Sequence, residues 1–278
     1  MKLWLLSIIV SLLIPYSQAS ERIITLGGDI TEIIFALNEG KQVIARDSSS
    51  RQPDSVLKLP DVGYMRMLNA EGILSLQPTL ILASEQAKPE LALKQIQRTG
   101  VKIIKVTGAP TLAAIPEKIR TIAKTIKQTQ KGEALINKLN EQLSLINTAP
   151  IQQKILFIFS HNGTVPLVAG QRTAADSIIS TVGAQNALQG FNGYLPLSQE
   201  AIIASQPDWI LITIEGIRSL GGIEKIWRLP GINMTPAGKN QALLIVNDLG
   251  LLGFGLSTPS VMKQIRDTLE KTNKKTNK

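Results

Sequence analysis

Leu68-Asn-Ala-Glu71-Gly-Ile-Leu-Ser-Leu-Gln77-Pro78-Thr-Leu-Ile-Leu82 reads as a helix, a Gln-Pro break and a buried strand. The pattern returns without gaps as Leu197-Ser-Gln-Glu200-Ala-Ile-Ile-Ala-Ser-Gln206-Pro207-Asp-Trp-Ile-Leu211, with roughly half the positions identical. So long a period is not that of a solenoid. It implies two lobes built on one α/β plan. A ligand would then bind between them, because domain interfaces and the carboxyl ends of parallel strands are the usual sites.

The flanking sequence fits that plan. Arg22 to Leu26, Gln42 to Ala45, Thr79 to Ala83 and Lys102 to Val106 read as strands, and helical stretches fall between them. Asp29 offers an N-cap with Glu32 three residues on. Gly27-Gly28 before it is a tight βα turn, since no Gly-Lys-Ser/Thr follows to make a phosphate loop. Strands alternating with helices predict mainly parallel sheets. From Pro116 to Ile146, Ile119, Ile122, Ile126, Leu135, Leu139 and Leu143 recur at helical spacing, which predicts one long connecting helix. The alternation restarts with strands at Lys154 to Ser160, Pro166 to Val168, Trp209 to Thr213 and Ala242 to Val246. A last helix is expected over about Pro259 to Lys271. The expected division is a signal peptide over 1–19, an N-terminal lobe over 20–115, the connecting helix over 116–149, a C-terminal lobe over 150–270 and a disordered basic tail over 271–278.

Composition narrows the function. The chain of 278 residues is 44% hydrophobic, enough for a real core. Lys2, the apolar run Leu3 to Ile14 and Ser17-Gln18-Ala19 have the form of a cleaved signal peptide. There is no cysteine, which excludes disulfides, thiolate metal sites, cysteine nucleophiles and lipid attachment at a cysteine. A soluble periplasmic protein is the expectation. The net charge of +9, part of it in the tail, favours anionic ligands or a membrane surface. No basic-aromatic nucleic-acid motif is present.

Two residues carry candidate chemistry. Tyr64 follows a glycine in Leu59-Pro-Asp-Val-Gly-Tyr-Met-Arg66, a segment with loop punctuation at both ends. Arg66 is near enough to favour the phenolate, a hard anionic oxygen suited to ferric iron. An ordinary loop tyrosine is the alternative. His161, the only histidine, directly follows the first strand of the second lobe and should face the same cleft, where imidazole is a common haem ligand. A solvated surface histidine is the alternative. Asp47, Asp61 and Asp176 are better explained as caps and turns than as acid-base groups.

At this point the chain resembles the helical-backbone class of periplasmic binding proteins, which serves importers of vitamin B12, ferric siderophores and haem. Three stretches resemble the haem carriers within it: Leu26-Gly-Gly-Asp-Ile-Thr-Glu-Ile; Leu59-Pro-Asp-Val-Gly-Tyr-Met-Arg with Asn69-Ala-Glu-Gly; and Ala169-Gly-Gln-Arg-Thr-Ala-Ala-Asp. The resemblance implies that Tyr64 holds haem iron with Arg66 in support. It implies that Glu71 and Glu200, one per lobe at the repeated positions, dock on an inner-membrane permease driven by an ATPase. Haem would be transported cargo, received from a donor such as an outer-membrane receptor, by a monomer with no enzymatic activity. Met65 and Met67 would be adaptable walls, and Arg46, Lys88 and Arg172 candidate cations at the haem rim. His161 would ligate iron in at least one loaded state. One departure stands out. Such proteins often read Gly-Phe-Gly-Pro-Arg-Thr where this chain has Gly253-Phe-Gly-Leu-Ser-Thr258, so that arginine is missing. A ferric-siderophore or corrinoid carrier is the alternative, and a haem-modifying enzyme a more distant one.

Overall fold

The computed structural model describes residues 21–276 apart from Asn162, with side chains to residue 272. The expected signal peptide lies outside the described residues. In the first lobe, β1 (Ile23–Leu26), α1 (Gly28–Ala36), β2 (Val43–Arg46), α2 (Ala70–Leu74), β3 (Leu80–Ser84), α3 (Glu90–Arg98) and β4 (Lys102–Val106) alternate. They build a parallel sheet in the order β2-β1-β3-β4. β1 and β3 are buried along their whole length, as central strands covered on both faces must be.

The next helical region differs from the sequence reading. The single long helix expected over 116–149 is two helices, α4 (Ala114–Thr125) and α5 (Thr129–Ser144). Lys127 takes φ 58, a left-handed conformation that ends α4, and Gln128 N–H donates back to Ala123 O at 2.7 Å. Gly132 then lies against Ala123: a Cβ there would stand 2.6 Å from that of Ala123. Without the side chain the two helices close. α4 packs on α1 and the first sheet, and α5 carries the chain to the second lobe.

The second lobe runs β5 (Lys154–Phe159), β6 (Leu167–Ala169), α6 (Ala174–Thr181), β7 (Gln185–Asn186), β8 (Tyr194–Pro196), α7 (Gln199–Ser205), β9 (Trp209–Thr213), α8 (Ile214–Leu220), α9 (Ile223–Ile226), α10 (Pro236–Lys239), β10 (Leu243–Val246) and α11 (Thr258–Thr276). β10, β9, β5 and the short β7 are parallel. β6 and β8 extend the sheet antiparallel beside the carboxyl end of β5. The tail expected to be disordered from Lys271 instead continues α11 to Thr276, because nothing in Lys-Thr-Asn-Lys-Lys-Thr breaks a helix. No described helix is long and apolar enough to cross a membrane.

The echo noted in the sequence holds in three dimensions. α2 leads into β3 and α7 into β9, and at both breaks the glutamine is left-handed: Gln77 at φ 50 and Gln206 at φ 44. Each lobe has an apolar cluster of its own. A third joins them, with Ile30 and Ile33 of α1, Ile119 of α4, Leu139 of α5, Phe157 of β5 and Ile265 of α11 in one continuous core.

Candidate functional site

The Tyr64 segment is stitched to the end of β2. Arg46 N–H donates to Pro60 O at 3.0 Å, Val62 N–H to Arg46 O at 2.9 Å and Ser48 N–H to Gly63 O at 3.0 Å. The Asp61 carboxylate accepts from Gly63 N–H at 2.8 Å, from the Ser48 hydroxyl at 2.9 Å and from Arg46 Nη1 at 2.8 Å. Gly63 has φ 89, a conformation that favours glycine before the tyrosine. On the other side Met67 N–H donates to Tyr64 O, Lys88 N–H to Met65 O and Leu68 N–H to Lys88 O. Tyr64 is thus a half-buried ring on a braced mount.

The opposing wall comes from the second lobe. Phe159 ends β5 and His161 follows it, their rings nearly parallel at 22° with centroids 6.4 Å apart. Tyr194, at the start of β8, lies 5.6 Å from Phe159. The pairing of β5 with β6 and of β6 with β8 brings Tyr194 beside Phe159 and His161, from which it is distant in sequence. His161 is exposed, and its ring stands 6.1 Å from that of Tyr64 across the cleft. Its loop hangs on α8: the Ser160 and Ser219 hydroxyls lie 2.8 Å apart, and Gly163 N–H donates to Ser219 Oγ at 3.1 Å. Burial pushes the Tyr194 phenol above its usual range, against its hydrogen bond with Thr173 and the charge of Arg66. It therefore remains a neutral hydroxyl.

The other expected residues separate. Arg66 hydrogen-bonds Gln86, whose amide donates to Gly108 O at 2.7 Å, and its charge is felt by Tyr194 in the other lobe. Met67 is 78% exposed, whereas Met65 leans on the first lobe's own core. Arg46, expected at the haem rim, is already engaged within the first lobe. It is buried and tied to Asp61 and to Asp47 O, because the turn below Tyr64 needs its charge. Lys88 and Arg172 are exposed, and Asp176 caps the chain at Arg172 N–H. Asp47 accepts from Gly27 N–H and from the Ser49 and Ser50 hydroxyls, so Asp47, Asp61 and Asp176 act as turns and caps.

Glu71 and Glu200 are exposed in the first turns of α2 and α7. Asn69 caps one helix and Ser198 the other. Its own backbone N–H and the Ser198 hydroxyl hold the Glu200 carboxyl below the usual range.

Four features escaped sequence reasoning. The Phe159–Tyr194 wall depends on a pairing that no local pattern reveals. Behind the cleft, Lys118 is buried and its ammonium donates to Asp29 at 2.5 Å, to Gly253 O at 2.7 Å and to Phe254 O at 3.0 Å, tying α1 and α4 to the second lobe. Beside it Glu32 accepts from Leu256 N–H at 2.8 Å and from the hydroxyl of Ser257, the residue standing where the arginine is missing. Burial pushes the Glu32 carboxyl up despite these bonds. Finally, Arg51 reaches Glu215 of α8 at 2.5 Å. Burial raises the Glu215 carboxyl, but Arg51 and Arg218 outweigh it and hold it low.

Two α/β lobes on one plan, joined by a helix and facing each other through aromatic side chains, define a two-lobed binding protein. The chain matches the periplasmic binding protein family over residues 23–247 and belongs to it. Among solved structures it is similar to the periplasmic heme-binding protein RhuT of Roseiflexus sp. RS-1 in apo form, at 38% identity and a TM-score of 0.85, covering 90% of this chain and 98% of that one. It is also similar to the periplasmic heme-binding protein BhuT in complex with two hemes, at 36% identity and a TM-score of 0.84, with 90% and 98% covered. A vitamin B12-binding protein of Pectobacterium atrosepticum is 30% identical over 199 residues, 69% of this chain and 71% of that one.

Proposed function

We propose that this chain is a periplasmic carrier that binds haem between its lobes and delivers it to an inner-membrane ABC permease for haem and iron uptake. The observation that carries this reading is the pair Tyr64 and His161, one from each lobe, with rings 6.1 Å apart across the cleft. A phenolate and an imidazole are both axial donors for haem iron. Tyr64 is the iron ligand of this proposal. His161 completes the sixth position, or holds a second haem stacked on the first, as a neighbour solved with two hemes suggests. An anionic axial oxygen stabilises the ferric state, which suits carriage over redox turnover, and the family is one of binding proteins.

The finer assignments belong to the same proposal. Arg66, exposed two residues from Tyr64 and hydrogen-bonded to the neutral Gln86, supplies the supporting cation. Arg172 and Lys88 are exposed cations for the haem rim, and Met67 an adaptable apolar edge. Glu71 and Glu200 present matching carboxylates, one per lobe, to basic residues of the permease. The chain is exported by a signal peptide cleaved after Ala19, is not lipid-anchored, acts as a monomer and takes haem from a donor such as an outer-membrane receptor.

A corrinoid carrier is the second reading, favoured by the vitamin B12-binding relative. A titration followed by absorbance separates them. Hemin should saturate the protein and develop a tyrosinate-type ferric spectrum, while cobalamin and a ferric siderophore leave the protein's spectrum and melting temperature unchanged. Tight cobalamin binding without hemin binding would overturn the haem reading.

A further inference from the structure

The two walls of the cleft recognise different things. The Tyr64 wall offers an oxygen to a metal. The opposite wall offers faces: Phe159 and His161 are tilted by only 22°, and Tyr194 adjoins Phe159 at 5.6 Å. His161 and Tyr194 are exposed and Phe159 is half-buried, so this wall shows π-surface to whatever enters the cleft. Stacking on such rings depends on a flat conjugated ligand and not on its metal. The polar groups at this end are equally indifferent to iron. The Tyr194 hydroxyl hydrogen-bonds Thr173 and feels the charge of Arg66 in the other lobe, whose guanidinium bonds the neutral Gln86 amide. An anionic edge lying between Arg66 and Tyr194 would meet a cation from one lobe and a hydroxyl from the other.

We propose that Phe159 and Tyr194 of the second-lobe wall bind the face of a planar tetrapyrrole independently of iron, so that the protein also takes up metal-free porphyrins carrying carboxylate side chains. The inference rests on the haem reading and divides that site into a metal-dependent and a metal-independent half. A corrin, puckered and bearing bulky axial groups, cannot lie flat on these rings, so the same wall selects against it.

The test titrates the purified protein with hemin and, separately, with iron-free protoporphyrin IX followed by its fluorescence. The parent should bind both. Tyr64→Phe keeps the ring and loses the oxygen, so its hemin Kd should rise about tenfold or more while its protoporphyrin Kd moves less than about threefold. Phe159→Leu with Tyr194→Leu should weaken both ligands by a similar factor of about ten. Phe159 touches the shared core, so thermal melting accompanies the variants. Tyr194→Leu alone, at the exposed end of the wall, should still weaken protoporphyrin by about threefold if the double variant unfolds. A parent that binds hemin but no protoporphyrin overturns the inference and leaves the haem reading standing. So does protoporphyrin binding untouched by Tyr194→Leu. A parent that binds neither overturns the haem reading itself.

Discussion

The two lobes are alike where they face outward and unlike where they face each other. α2 and α7 carry capped first turns, each with one exposed glutamate, each followed by a left-handed glutamine and a proline. At the cleft the likeness ends. Tyr64 stands on a segment braced on both sides and pinned by the Arg46–Asp61 pair. His161 stands on a loop suspended from Ser219. On the proposed reading, the similar helices serve one partner common to both lobes, and the divergent clefts give each wall a separate task. The braced wall fixes an atom. The suspended wall would have to yield to a face: a flat π-system needs roughly 7 Å between two rings, two contact distances, and Tyr64 and His161 stand 6.1 Å apart.

The largest effect should come from the part the lobes share. Reversing the charge of Glu71 and Glu200 together should bring uptake through reconstituted permease and ATP to background while hemin binding stays normal, since such charges act on docking. Normal uptake by the double variant would remove the docking role. On the braced wall, Tyr64→Ala should weaken hemin about a hundredfold, near 3 kcal/mol, in a protein that still melts cooperatively. Unchanged affinity in the folded variant would take Tyr64 out of the site. Asp61→Ala tests the brace itself. It frees Gly63 and leaves Arg46 buried without its carboxylate, so hemin affinity should fall about tenfold and stability by about 2 kcal/mol. A loss of stability with affinity intact would show that the mount does not position Tyr64.

On the suspended wall, His161→Ala should change less. Hemin stoichiometry or the ferric spectrum should alter while the first hemin binds within about threefold of the parent. Identity with the parent in both readouts makes His161 a bystander. The smallest effect concerns the back of the cleft. Burial raises the Glu32 carboxyl above its ordinary 4.5, so the folded state binds the proton more tightly than the unfolded state. Its contribution is therefore full below that value and lost as pH rises through the folded pKa. Glu32→Gln keeps an acceptor for Leu256 N–H and removes the charge. Its melting temperature relative to the parent should climb from pH 4.5 to pH 8. A constant difference would mean that Glu32 does not titrate in this way.

The lobe plan was legible because buried parallel strands are continuous apolar runs. β9 falls where the sequence puts it, at Trp209–Thr213, and so does the more exposed edge strand β4 at Lys102–Val106, on its β-branched centre. The break between α4 and α5 was not legible, because Lys127 adopts a left-handed turn that its residue type does not advertise. Tyr64 and His161 could be singled out, being a tyrosine after a glycine and the only histidine. The engagement of Arg46 by Asp61 was not legible, because sequence shows a charge and not its partner. Phe159 and Tyr194 were passed over for a related reason: they lie in different strands, and only the β6–β8 extension makes them neighbours.

The apolar cluster that runs from α1 through α5 to α11 bears on how the molecule comes apart. Beside its own cluster each lobe contributes to this shared one, and Lys118 with Asp29 closes it under two carbonyls of the second lobe. Opening either lobe exposes part of the other's core, so the two should unfold in one transition. Amide hydrogen exchange would then be slowest along β1, β3, β5 and β9, with similar protection in both sheets. The cleft segments, above all the loop at His161, would exchange first through local opening. In that sense the pair of lobes is one cooperative unit with a soft mouth.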